Sequence, residues 1–132
     1  MGRLTPYSTA CRRAIHAIEE WIGQGVEVVL PDLWDYEVTS ALFWLCAHGE
    51  LTRQVALEGL RALFRLNLRH VPASAELCYR ASLWAERLGR QRAYDSQYIA
   101  LAEMFRADFY TADKKLFGRS REERIGFVKL LE

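Results

Sequence analysis

No stretch of this sequence stays apolar for the ~20 residues that a membrane-spanning helix needs. The opening "MGRLTPYSTACRRAIHAIEEW" has no apolar core of the kind that marks a secretion signal. A soluble, cytoplasmic protein without a membrane partner is therefore expected. Three prolines and eight glycines in 132 residues leave no low-complexity linker, and no internal repeat occurs. Cys11, Cys46 and Cys78 lie far apart in stretches of helical pattern. That spacing excludes the close pairs of zinc sites and disulfide frameworks and reads as buried free thiols. An excess of charge of one sign is also lacking. Lys and Arg number 18 against 17 Asp and Glu, a formal net charge of +1, so a polyanion would have to be met by a local cluster. There is no GxSxG elbow, P-loop or GxGxxG, which argues against serine hydrolysis, nucleotide phosphate binding and dinucleotide chemistry. His16, His48 and His70 fall in different elements, without the spacing that sets two ligands on one helix face.

What is present is a core. Hydrophobic residues make up 51% of the chain, enough for one compact domain over residues 1–132. Ser8 is placed to cap a helix carrying Cys11, Ile15, Ile18 and Ile22, which Gly23 and Gly25 stop. "VEVVL" (26–30) is short and β-branched, as a strand covered on both faces would be. "DLWDYEVTSALFWLCAHG" has helical period through Leu33, Ala41, Trp44 and Leu45. Thr52 opens another helix with Val55, Leu60, Leu63 and Phe64 as inward positions. "LRHVP" (68–72) reads as a strand, and Ser74 caps a helix with Leu77, Ala81, Trp84 and Leu88 inward. A helix from Asp95 to about Arg106 precedes the strand "DFYT" (108–111), a short helical turn "DKKLF" and a last strand "FVKLL" (127–131). Strands separated by helices imply right-handed crossovers and a mostly parallel sheet, an α/β fold with helices on both faces.

Ligands of open parallel sheets gather outside the carboxyl ends of the strands. Asp113 follows "DFYT" by two positions. Asp95 begins the helix leading into that strand, and reaches the same edge if the loop from Gly89 to Tyr94 folds suitably. Glu37 lies one helical turn past the strand "VEVVL", on a face shared with Leu33, Ala41 and Trp44. Singly, Asp95 and Asp113 suit helix N-caps, and Glu37 can reach past its neighbours to water. Together, three acids converging on one edge repel unless a cation neutralises them, and hard oxygen donors suit Mg²⁺ or Mn²⁺. Such an ion would support phosphodiester hydrolysis. Thr111 sets a hydroxyl near the same edge. Lys114, Lys115, Arg119, Arg121 and Arg124 follow Asp113; a solvated charged surface is their ordinary role, and contact with RNA phosphates is the functional one. Trp21, Trp34, Trp44 and Trp84 lie on helical stripes, where packing outranks base stacking.

"AYDSQYIALAE" followed by "ADFYTADKKL", with "LPDLWDYEVTSAL" upstream, resembles the PIN-domain family, and within it the VapC-type ribonuclease toxins. The likeness spans about residues 26–131. It implies a three-layer α/β/α domain and a metal-dependent endoribonuclease that hydrolyses RNA with metal-activated water. Glu37, Asp95 and Asp113 match the family's acids that bind Mg²⁺ or Mn²⁺. A homodimer and a cognate antitoxin protein are also implied as partners. The family pattern opens with an apolar strand ending in aspartate. Here no acid precedes Glu19, so the expected chain lacks that strand. Either the native protein is longer, or another chain supplies the strand, or the member is degenerate. The alternative function is accordingly a catalytically degenerate protein or RNA-binding module.

Overall fold

The computed structural model describes residues 6–89 and 94–131. The chain is a mixed helix–strand protein that divides into two compact units, one ending at Val71 and one beginning at Pro72. The first unit holds α1 (Pro6–Gly23), β1 (Val29–Pro31), α2 (Leu33–Ala47), α3 (Arg53–Arg65) and β2 (Arg69–Val71). The second holds α4 (Ala75–Arg87), α5 (Tyr94–Phe105), β3 (Phe109–Thr111), α6 (Lys114–Glu122) and β4 (Val128–Leu130).

α1 starts at Pro6, so Ser8 lies inside the helix rather than capping it. The helix ends as the glycines predict. The Val26 N–H donates to the Trp21 carbonyl at 2.9 Å and the Gly25 N–H to that of Ile22 at 3.0 Å, with Gly25 at φ 78°. This ending explains why β1 is shorter than "VEVVL": Val26 belongs to the helix stop, and the strand starts only at Val29. β1 and β2 pair in parallel, Leu30 opposite His70.

α2 runs on to a second such ending, where the Glu50 N–H reaches the Leu45 carbonyl at 2.9 Å and Gly49 takes φ 72°. Thr52 caps α3, its Oγ1 accepting from the Val55 N–H at 3.2 Å. The inward side of α3 differs from expectation. Leu63 is buried, but Val55 and Phe64 are 49% and 53% exposed. The inward line runs through Ala56, Leu60 and Leu63, and a residue one step off that line turns ~100° away from it.

In the second unit Ser74 caps α4, its Oγ accepting from the Leu77 N–H at 3.1 Å. Leu77, Ala81 and Leu88 are buried as expected. α4 packs along α5, and Arg80 bridges them, 2.7 Å from Glu76 and 3.2 Å from Glu103. The hydrogen bond that Arg80 donates to Glu76, then the one it donates to Glu103, raises the Arg80 pKa above its ordinary value. Leu88, Ile99, Leu116, Ile125 and Val128 form the core, with Trp84, Phe109, Phe117 and Phe127 against it. α6 extends to nine residues, longer than the short turn expected. β3 and β4 pair in parallel, Tyr110 opposite Lys129. Parallel pairing in both sheets agrees with the α/β reading, and each sheet has two strands among the described residues.

The thiols depart from expectation. Cys46 is half-buried and Cys78 exposed, because Cys78 follows the inward Leu77 and so turns outward on α4. The side chain of Cys11 lies outside the described residues.

Candidate functional site

The second unit holds two of the three expected acids, Asp95 in the first turn of α5 and Asp113 at the N-cap of α6. The C-terminus of α5 is closed by bonds from the Arg106 N–H to the Glu103 carbonyl, 3.3 Å, and from the Ala107 N–H to that of Ala102, 2.9 Å. The chain then doubles back, so that Phe109, the first residue of β3, stacks on Tyr98 with ring centroids 5.4 Å apart and planes 13° from parallel. A strand that begins beside the middle of the preceding helix runs back toward that helix's N-terminus. Asp113, past the carboxyl end of β3, therefore lies toward the end where Asp95 occupies the second position of α5.

Asp113 is an N-cap. Its Oδ1 accepts from the Lys115 N–H at 2.9 Å and the Leu116 N–H at 3.0 Å. Thr111 braces the turn, its Oγ1 accepting from the Asp113 N–H at 3.1 Å. Asp95 is half-buried in the first turn of α5, where unpaired N–H groups and the helix dipole favour a carboxylate. It lies inside the helix and is not its cap. Residues 90–93, most of the loop expected to set Asp95's position, lie outside the described residues. The Ser96 hydroxyl beside it is fully buried without a hydrogen-bond partner, sealed away from any hydrated ion.

Glu37 belongs to the first unit, on α2. It is exposed, although Ala41 on the same stripe is buried and Leu33 and Trp44 are half-buried; the longer acidic side chain leaves the apolar stripe for solvent. Among the described residues no group of three or more His, Cys, Asp or Glu side chains is gathered to hold a metal ion. The donor chemistry of Asp95 and Asp113, hard carboxylate oxygens, suits Mg²⁺ or Mn²⁺.

Lys114 and Lys115 are exposed at the start of α6, next to Asp113. Arg119 is engaged within the protein: it lies 3.1 Å from Glu122 and 3.2 Å from Glu123, and its Nε donates to the Leu88 carbonyl at 3.4 Å. Arg121 lies over the Phe117 ring at 5.8 Å.

The first unit holds a pair that sequence reasoning missed. His70 Nε2 lies 3.0 Å from Asp35 Oδ1, with side chains 34% and 31% exposed. Asp35 stands in the first turn of α2, just past β1, and His70 is central in β2. Thirty-five positions separate them in sequence, and no motif links them. Only the parallel pairing of β1 with β2 brings them together.

No family model and no curated protein matches the chain. Among the described residues no helix is long and apolar enough to cross a membrane.

Proposed function

We propose that the protein is a metal-dependent endoribonuclease of the PIN/VapC type, with a three-layer α/β/α arrangement. The observation that supports this best is the placement of Asp95 and Asp113, the acids of "YDSQYIALAE" and "TADKKL", toward one end of the α5–β3 pair. That end is the carboxyl edge of β3, where open parallel sheets bind ligands. Asp95 and Asp113 would hold Mg²⁺ or Mn²⁺. When bound, the ion would lower the pKa of a water and offset charge on the scissile phosphate. The protein's own groups act around that centre. Thr111 braces the turn presenting Asp113, and the α6 cap holds that carboxylate in place. Lys114 and Lys115 offer ammonium groups to the flanking RNA phosphates. By the same resemblance the working state is a homodimer controlled by an antitoxin protein, and the compartment is the cytoplasm.

The competing reading is a non-cleaving RNA-binding module. It draws on the capping bonds of Asp113, which account for an aspartate at this position without any metal. Cleavage of an end-labelled RNA in Mg²⁺ or Mn²⁺, with and without EDTA, separates the two. The nuclease reading expects cutting that EDTA abolishes and that Asp95→Asn and Asp113→Asn each remove. Cutting that persists in EDTA would sink it, and RNA binding without cutting in either metal would favour the module.

A further inference from the structure

The Asp35–His70 pair sits in an aromatic setting. Trp34, beside Asp35, packs edge-on to the His70 ring with centroids 5.8 Å apart. Phe64, near the end of α3, lies 6.3 Å from Trp34 and 6.3 Å from His70, its plane only 15° from that of the imidazole. Phe64 is 53% exposed, an unusual position for a phenylalanine that one residue's shift would bury beside Leu63. A flat ligand can therefore lie parallel to Phe64 and His70 at once. Arg61 precedes Phe64 by one turn and is exposed on the same side of α3.

The hydrogen-bonding capacity of the imidazole is fixed by its partner. An ionised carboxylate only accepts, so with Asp35 on Nε2 the neutral ring carries its proton there. Nδ1 is left as an acceptor, and no hydrogen bond to it occurs among the described residues. An exposed aromatic face, a single oriented acceptor and a nearby guanidinium group suit a planar, amino-bearing, anionic-backbone ligand. Unpaired adenine and cytosine of RNA carry such amino groups on their edges, at N6 and N4.

We propose that Phe64, His70 and Trp34, with Asp35 orienting the imidazole, form a nucleobase-binding platform at the carboxyl end of β1–β2 that takes an unpaired adenine or cytosine of single-stranded RNA. The choice of RNA over other planar ligands rests on the nuclease reading. The base stacks on Phe64 and donates its amino hydrogen to His70 Nδ1, while Arg61 meets a neighbouring phosphate. Asp35 is a positioning residue that holds the acceptor outward.

The test is fluorescence anisotropy of labelled oligo(rA), oligo(rC) and oligo(rU) of equal length, in EDTA so that binding is read without cleavage. The wild type should bind oligo(rA) and oligo(rC) tighter than oligo(rU). Phe64→Leu, which keeps an apolar side chain and the fold, should weaken oligo(rA) binding at least about fivefold through loss of one stack. His70→Ala and Asp35→Asn should reduce the preference over oligo(rU), a readout that a merely structural role would not move. Equal binding by the wild type and Phe64→Leu would overturn the platform and leave the nuclease reading standing. The same affinity for all three oligomers would overturn the amino-group assignment. Absence of binding to any of them would overturn the platform, while the EDTA-sensitive cleavage assay judges the nuclease reading separately.

Discussion

Asp113 carries a capping role that the structure displays and a metal-binding role that is proposed, and substitutions can separate them. Asparagine caps a helix about as well as aspartate, whereas alanine loses roughly 1 kcal/mol of cap. Asp113→Asn should leave the urea midpoint nearly unchanged and remove cutting, while Asp113→Ala should lower the midpoint and remove cutting as well. A cutting Asp113→Asn protein would reduce the residue to its cap. A second residue-scale expectation concerns Ser120, fully buried with no partner for its hydroxyl. A buried unsatisfied hydroxyl opposes folding, so Ser120→Ala should raise stability, by up to about 1 kcal/mol, as a higher urea midpoint. A fall would mean that the hydroxyl has a partner in solution. The sequence made the caps legible, because Thr52, Ser74 and Asp113 act through bonds to neighbours three positions away or fewer. The Asp35–His70 pair was illegible for the opposite reason, since its distance depends on strand pairing that no local pattern encodes.

At the scale of elements, two helices end with arginine where glycine is usual. Arg106 at φ 51° and Arg124 at φ 58° occupy the left-handed position after α5 and α6. The wrap-around bonds match those at Gly25: the Ile125 N–H reaches the Ser120 carbonyl at 2.9 Å. A side chain in that region is strained, and glycine relieves the strain at some cost in unfolded-chain entropy. Arg124→Gly should therefore stabilise the protein by about 0.5–1 kcal/mol, and Arg124→Ala should not. Both are exposed-site changes readable from chemical denaturation, and an unchanged or lower midpoint for the glycine variant would refute the strain. The starts of α3, α4 and α6 and the glycine stops at Gly25 and Gly49 were foreseeable, and so was the extent of α5, but arginine gives no stop signal, so the length of α6 was not fixed by pattern. Strand bounds slipped likewise. β1 lost its first residues to the ending of α1, a competition between two local structures that a β-branched run cannot reveal.

For the whole molecule the near-balance of charge, +1 from 18 basic and 17 acidic residues, sets how RNA should be held. A uniformly basic surface would neutralise many phosphates and make binding collapse with salt. Here the candidate phosphate contacts are few: Lys114 and Lys115 beside Asp113, and Arg61 beside Phe64, while Arg119 is paired with Glu122 and Glu123. Each phosphate neutralised on a single strand contributes about −0.7 to the slope of log K against log salt, so Lys114 and Lys115 together give about −1.4 and Arg61 about −0.7. RNA affinity at the two lysines should then fall only about sevenfold between 50 and 200 mM salt, a fourfold change raised to the power 1.4. Lys114→Ala with Lys115→Ala should remove that salt dependence, whereas Phe64→Leu should weaken oligo(rA) binding and leave the slope alone. A slope near zero would mean that these cations do not touch the backbone. One steeper than about −5 would place the RNA on a basic surface wider than these residues form.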